Sequence, residues 1–127
     1  MNIVIIDVGS NIEPEYNISQ ANRLIAQEHT FLLASSITRT KAIGDVPQPD
    51  YLNCAFKVGT FYHEENFNLF LKKVESQLGR IRSKDKFTPR TIDLDIIAWN
   101  GKVVHKDFYQ RYFVRKYALE LDPDLIY

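Results

Sequence analysis

The chain has 127 residues, with 16 Lys and Arg, 16 Asp and Glu, and a single cysteine. This length fits one domain with a substantial core, so we expect a single domain over residues 1–127. One cysteine excludes an intramolecular disulfide, and a net charge of zero argues against a general nucleic-acid binder. No apolar run approaches the ~20 residues of a membrane-spanning helix, and no basic leader follows Met1, so we expect a cytoplasmic protein.

The first half of the chain predicts the element order β-α-β-β. Residues 3–8 form a nearly continuous β-branched run, which is typical of a strand buried on both faces. Pro14 suits the first turn of a helix that runs toward Glu28. Residues 31–37 predict a second strand, and the alternation of apolar side chains from 52 to 58 predicts a third. Between them, residues 38–50 have no periodicity, which indicates a long loop that is either functional or disordered.

The second half adds a helix and a strand. Apolar side chains at positions 67, 70, 71, 74 and 78 follow helical spacing, and Gly79 stands where a C-terminal cap belongs. Residues 92–98 alternate as a fourth strand and end in a turn at Asn100 and Gly101, before a short return strand at 103 and 104. Residues 114–121 predict a last helix, with Pro123 beyond its end. The order β-α-β-β-α-β predicts an α+β fold of the ferredoxin-like class, an antiparallel sheet flanked by helices.

The strongest chemical signal is a pair of carboxylates at Asp93 and Asp95. Side chains two positions apart on a strand project from the same face. Two carboxylates about 4 Å apart repel by roughly 4 kcal/mol at an effective dielectric constant of 20. Such a pair requires a proton, exposure to solvent or a bound cation, and Mg²⁺ is the cation that hard oxygen ligands favour.

A basic segment directly precedes this pair. Within residues 79–90 a single acid, Asp85, accompanies five cations: Arg80, Arg82, Lys84, Lys86 and Arg90. Alone, the run is more typical of a solvated loop, and the two aspartates are also compatible with a solvated strand face. Together they favour a phosphate site, where arginines bind phosphate oxygens bidentately while Mg²⁺ neutralises them. The chain has no Walker loop, and its three histidines are too scattered for a zinc site.

Five short segments occur in order along the chain: GSN at 9–11, SS at 35–36, QPDYLN at 48–53, GRIR at 79–82 and PRTIDLDII at 89–97. With these segments the chain closely resembles the 6-hydroxymethyl-7,8-dihydropterin pyrophosphokinase family over nearly its whole length. The resemblance implies a transferase of folate biosynthesis, which moves the terminal pyrophosphate of ATP onto the pterin hydroxymethyl group and releases AMP. It also implies two Mg²⁺ ions. We expect a monomer whose partners are small molecules, with no nucleic acid and no membrane.

The resemblance also implies the residues of the site. Asp93 and Asp95 would hold the metal ions, as catalytic residues together with the phosphate-facing Arg80, Arg82 and Arg90. The ATP side would further include Glu75, Lys84, Lys86, Ile96 and Arg111. The pterin would contact Thr40, Ala42, Ile43, Tyr51, Asn53 and Phe113, with the last stacking on the ring opposite Tyr51.

The chain departs from the family pattern at several positions. Asp7 replaces a residue that is usually small and uncharged, and the segment between Asp95 and Arg111 is shortened. The shortening supports an alternative function, a pterin-binding family member with reduced or lost kinase activity, unless His105 or Tyr109 replaces the lost nucleotide contacts.

An RNA-binding module shares the element order, but residues 51–56 lack the basic-Gly-aromatic pattern that such a module carries on its third strand.

Overall fold

The computed structural model of the chain describes residues 1–42, 47–79 and 91–127. The strands are β1 (Asn2–Ser10), β2 (Thr30–Ala34), β3 (Thr38–Thr40), β4 (Tyr51–Thr60), β5 (Asp93–Trp99) and β6 (Lys102–Val103). The helices are α1 (Pro14–Glu28), α2 (Glu64–Gln77), α3 (Asp107–Gln110) and α4 (Tyr112–Leu121).

The six strands of the described residues belong to one antiparallel sheet. Its order is β2-β4-β1-β5-β6, and β3 pairs with the beginning of β4. The four long strands and the two long helices follow one another as β-α-β-β-α-β, so the predicted α+β, ferredoxin-like arrangement is confirmed. β1 lies at the centre because its apolar run can be buried from both sides, as a central strand requires.

The two faces of the sheet have separate hydrophobic cores. On one face, Ile6, Phe56 and Leu94 pack under α1 and α2. Cys54 belongs to this core, and burial raises the pKa of its thiol to about 12, as expected of a small buried thiol. On the other face, Ile5 and other apolar residues pack under α3 and α4. The helices of this second face determine where the site lies.

The prediction for residues 31–50 was wrong in two details. β2 ends at Ala34 rather than at residue 37, and residues 38–40, predicted as loop, form β3. The reason lies at Ser35, whose side-chain oxygen accepts a hydrogen bond from the backbone N–H of Ala55 at 2.8 Å. The side chain thus takes the place of a backbone carbonyl in the ladder and interrupts the strand. Three residues of β3 are too few for a visible alternation.

The elements after β5 differ from the prediction in length. The return strand β6 lies at 102–103, one residue earlier than predicted, and α4 starts at Tyr112 rather than at residue 114. The four-residue α3 was not predicted, because one helical turn has no periodicity to detect. Within the described parts of the chain, no helix is both long and apolar enough to span a membrane.

Two turns follow the predicted chemistry. Gly79 follows Leu78, the C-cap of α2, and has a φ of +86°, which is the left-handed conformation that glycine adopts at a helix C-terminus. Asn100 and Gly101, with φ of +51° and +82°, form the two-residue connection between β5 and β6. Both residues of a tight hairpin turn of this kind need positive φ, and the Asn-Gly pair supplies it.

Candidate functional site

The sheet face opposite α1 and α2 forms the floor of the site. In the antiparallel register, Asp7 of β1 lies opposite Asp95 of β5, and Gly9 lies opposite Asp93. On its other side, Gly9 lies opposite Asn53 of β4. Because residues two apart on a strand share a face, all five project to the same side of the sheet.

A cavity of about 510 Å³ lies between this floor and the segment from His105 to the start of α4. It is lined by Asp7, Gly9, Thr40, Lys41, Tyr51, Asn53, Asp93, Asp95, His105, Lys106, Asp107, Gln110, Arg111, Tyr112 and Phe113. The floor is acidic because it carries Asp7, Asp93 and Asp95. Tyr51 and Asn53 form a wall that we call the aromatic and amide wall. The segment from His105 to the start of α4 forms the helical wall, which contributes the cations Lys106 and Arg111. Such a volume is typical of a small-molecule site.

The cavity brings together seven of the residues proposed from the sequence: Thr40, Tyr51, Asn53, Asp93, Asp95, Arg111 and Phe113. Three others are described by the structure but are not among the lining residues. Ile96 packs in the core under α1 and α2, Glu75 is buried in α2, and Ala42 follows β3. Six lie outside the described residues: Ile43, Arg80, Arg82, Lys84, Lys86 and Arg90.

Gly9 allows the aromatic and amide wall to approach the floor. A Cβ atom at this position would lie 3.2 Å from Oδ1 of Asn53 and 3.7 Å from Cδ1 of Tyr51. The Asn53 side-chain amide in turn donates to the Thr40 hydroxyl at 2.6 Å, which joins β4 to β3. Because Gly9 has no side chain, Tyr51 and Asn53 can lie close to β1, and this determines their position relative to Asp93.

Side chains from two of the family-like segments, GSN at 9–11 and SS at 35–36, hold the elements around the site in place. The side-chain amide of Asn11 donates to Oε1 of Gln48 at 2.8 Å and to the Pro49 carbonyl at 3.1 Å, so the end of β1 anchors the segment that leads into β4. Ser36 donates through its N–H and its hydroxyl to the carboxylate of Glu120 at 2.9 and 2.8 Å. This contact fastens α4, which starts next to the cavity, to the sheet.

Side chains of α2 cap the free edge of β5 between the two aspartates. The buried carboxylate of Glu75 accepts a hydrogen bond from the Leu94 backbone N–H at 2.7 Å. Lys72 donates to the Leu94 carbonyl at 2.7 Å, and its ammonium lies 3.2 Å from Glu75 and 3.4 Å from Oδ1 of Asp95. Both backbone groups of Leu94 are thus held by one ion pair, which fixes the strand between Asp93 and Asp95.

Several contributors to the site were missed in the sequence. Lys72 was detectable only as an i, i+3 partner of Glu75, and nothing in that spacing indicates a contact with β5. Lys106 and Gln110 line the cavity from the unpredicted α3 region. His105, considered as a substitute nucleotide contact, also lines the cavity, and its Nδ1 accepts the Asp107 backbone N–H at 3.0 Å. Tyr109 is 60% exposed and is not among the lining residues.

Asp7 is the unusual group of the floor. Its Oδ1 atom is buried and has no hydrogen-bond partner among the described residues. Burial is the main reason that the pKa of Asp7 rises to about 8. The negative charges of Asp95, Asp93 and Asp107 raise this pKa as well, while Arg111 opposes them.

Because the pKa of Asp7 is raised, the free energy of unfolding depends on pH. Between pH 4 and pH 8 the folded chain holds a proton on Asp7 that the unfolded chain has released, so rising pH favours unfolding. The stabilising contribution is complete below about pH 4 and is lost as the pH rises through about 8. In metal-free buffer, we expect the free energy of unfolding to fall by up to about 1.4 kcal/mol per pH unit relative to Asp7→Asn. Urea titrations of both proteins across this range test the difference, and parallel pH profiles would contradict it.

Comparison with known proteins gives a family match. The family model for 7,8-dihydro-6-hydroxymethylpterin-pyrophosphokinase (HPPK) matches residues 5–123. The 2-amino-4-hydroxy-6-hydroxymethyldihydropteridine pyrophosphokinase of Bacillus subtilis is 34% identical over 124 residues, which cover 89% of this chain and 74% of that relative. The enzyme of the same name from Haemophilus influenzae is 30% identical over 132 residues, which cover 95% and 82%.

A longer relative matches as well. The bifunctional protein FolKE of Lactococcus lactis subsp. lactis is 33% identical over 139 residues, which cover 100% of this chain and 40% of that protein. The chain therefore spans about two fifths of the length of this bifunctional relative. Since the family model covers nearly the whole sequence, the chain belongs to the 7,8-dihydro-6-hydroxymethylpterin-pyrophosphokinase family.

Proposed function

We propose that this chain transfers a pyrophosphoryl group from ATP to the hydroxyl of 6-hydroxymethyl-7,8-dihydropterin, releasing AMP and the pterin diphosphate. The observation that supports it is the composition of one cavity, in which the carboxylates of Asp93 and Asp95 lie beside Tyr51, Asn53 and Phe113. A flat heteroaromatic ring and a polyphosphate need these two surfaces next to each other. Family membership supports the same reaction.

The pterin would occupy the aromatic and amide wall. Tyr51 and Phe113 offer ring faces for stacking, and aromatic pairs contribute about 0.5–1.5 kcal/mol beyond the burial of their area. Asn53, fixed by its bond to the Thr40 hydroxyl, offers an amide for the polar edge of the ring. The ring would then point its hydroxymethyl group toward the acidic floor.

ATP would bind on the cationic side. Among the described residues, Lys41, Lys106 and Arg111 line the cavity, and Nε of Arg111 lies 3.9 Å from the Asp107 carboxylate. Guanidinium groups bind phosphate oxygens with two parallel hydrogen bonds, so Arg111 suits a phosphate group. The residues proposed from the sequence in the segment 80–90 would add Arg80, Arg82, Lys84, Lys86 and Arg90 to the same triphosphate.

The donor set fits Mg²⁺. Asp93 and Asp95 present hard carboxylate oxygens from one face of β5, and the family resemblance implies two ions at such a pair. Bound there, Mg²⁺ would neutralise the phosphates and the charge that develops during transfer. The chain itself contributes position: Glu75 and Lys72 hold Leu94 and thereby keep both carboxylates aimed at the cavity. Positioning of this kind accounts for much of the rate enhancement in phosphoryl transfer.

A steady-state assay of AMP formation tests the proposal. The purified chain, ATP, Mg²⁺ and 6-hydroxymethyl-7,8-dihydropterin are expected to give AMP at a rate that depends on the pterin, and omission of either Mg²⁺ or the pterin should stop it. AMP release that does not depend on the pterin would point to simple ATP hydrolysis. Pterin binding without turnover would instead favour the alternative of a family member with lost kinase activity.

Stacking on Phe113 gives a separate prediction for the pterin side. Phe113→Ala is expected to weaken pterin binding by roughly tenfold or more, because about 1.4 kcal/mol of stacking and buried area corresponds to tenfold in Kd. Calorimetric titration with the pterin measures the change. Tyr16→Ala, which removes a ring that is 61% exposed on α1, serves as the control and should bind as wild type. Equal Kd values for all three proteins would exclude a stacking contact at Phe113.

A further inference from the structure

We propose that Asp7 is a third carboxylate of the metal site, which increases the affinity of Asp93 and Asp95 for a divalent cation. This inference rests on the proposed function, because that proposal places the cation at the two aspartates of β5. It goes beyond the family pattern, in which the position of Asp7 is usually small and uncharged.

The geometry of the sheet brings Asp7 to the site. It is the register partner of Asp95 on the neighbouring strand and projects from the same face as Asp93. Its side chain lines the same cavity as both. Directly opposed residues in an antiparallel pair have Cβ atoms about 5 Å apart, so the carboxyl group of Asp7 lies close to that of Asp95.

The unpartnered oxygen of Asp7 indicates that this side chain interacts with a ligand, an ion or water. Oδ1 is buried and accepts no hydrogen bond within the described parts of the chain. Buried polar atoms nearly always have a partner, and an exception in a functional cavity indicates a ligand, an ion or water that completes it. The charged groups that act on Asp7 are Asp95, Asp93 and Asp107, with Arg111 as the opposing cation. Since acids outnumber cations among the groups that act on Asp7, a divalent cation would reduce the repulsion between these carboxyl groups.

Asp7 would act from the second layer of the site. In residues 1–42, 47–79 and 91–127, no three His, Cys, Asp or Glu side chains are close enough together to ligate one ion directly. Asp7 would therefore release its proton when the cation binds, accept hydrogen bonds from water around the cation and add its charge, while Asp93 and Asp95 supply the direct oxygens. Groups in this second layer typically change metal affinity by 10–100-fold.

The test is Mn²⁺ binding, measured by calorimetry and by the electron paramagnetic resonance signal of free Mn²⁺ in the presence of a non-hydrolysable ATP analogue. Asp7→Ala is expected to raise the Kd for Mn²⁺ by about 10–100-fold. Asp7→Asn, which keeps the shape and one acceptor oxygen but not the charge, is expected to have a smaller effect of the same sign. Asp124→Asn, on the exposed C-terminal segment, should bind as wild type.

A fourth variant separates this inference from the proposal on which it rests. Asp95→Asn is expected to weaken Mn²⁺ binding more than either Asp7 variant. If Asp95→Asn weakens binding while both Asp7 variants bind as tightly as wild type or more tightly, the inference about Asp7 is overturned and the metal site stands. If Asp95→Asn leaves the Kd unchanged, the metal site itself is overturned, and Asp7 loses its proposed role with it.

Discussion

Replacement of Asp95 by alanine is expected to lower kcat for AMP formation by about a hundredfold or more. A bound metal contributes several kcal/mol of charge stabilisation in the transition state, and about 3 kcal/mol corresponds to a hundredfold in rate. Asp95 lies in the floor of the cavity beside Asp93, so no other carboxylate of β5 can take over its position. The measurement is the steady-state rate at saturating ATP and pterin over a range of Mg²⁺ concentrations.

The fold should tolerate this change. The ion pair of Asp95 with Lys72 is partly exposed at 3.4 Å, and such pairs contribute at most about 1 kcal/mol. Removal of the Asp95 charge also takes away one of the negative charges that raise the pKa of Asp7 across the strand pair. Asp124→Asn is the matched control, because it removes a carboxylate from an exposed position away from the cavity. A kcat of Asp95→Ala within twofold of this control would remove Asp95 from the reaction.

Replacement of Glu75 by alanine is expected to lower the free energy of unfolding by about 2–4 kcal/mol. The substitution leaves the Leu94 backbone N–H without its acceptor, and an unsatisfied buried group costs about 1–3 kcal/mol. It also opens a void, since Glu75 is only 1% exposed. Denaturant unfolding followed by circular dichroism measures the loss.

Two further variants define the cause of this loss. Glu75→Gln keeps an oxygen that can accept from Leu94, so we expect it to destabilise less than Glu75→Ala. Glu65→Ala removes an exposed carboxylate from the first turn of the same helix and should cost no more than about 1 kcal/mol. If Glu75→Ala were as stable as Glu65→Ala, the cap on the edge of β5 would have no energetic importance. Glu75 would then not be what holds β5 in place between the two aspartates.

The long elements were predictable because their periodicity is strong. The apolar run of β1 and the helical spacing of α2 each identified an element, and the shared face of Asp93 and Asp95 followed from the two-residue period of β5. β3 and α3 were missed because three or four residues contain little more than one period, which is too few to show a repeating pattern. The spacing of apolar residues therefore predicts a helix or a strand only when the segment is long enough to place several of them on one face.

Pairing between distant strands could not be predicted in the same way. Asp7 and Asp95 are 88 positions apart, and only the register of β1 against β5 places them opposite each other. The contact of Glu75 and Lys72 with Leu94 also joins a helix to a strand that is 19 or more positions away. The sequence therefore indicated which side chains have the right chemistry, whereas the sheet register decides which of them meet.

The most direct measurement follows the two transferred phosphates. With ATP labelled at the β-phosphorus, a single turnover by the wild-type chain with 6-hydroxymethyl-7,8-dihydropterin and Mg²⁺ is expected to place the label on the pterin and to leave unlabelled AMP. The same turnover with Asp95→Ala should leave the label on ATP. Labelled ADP together with a pterin monophosphate, or labelled pyrophosphate free in solution, would contradict pyrophosphoryl transfer in this cavity.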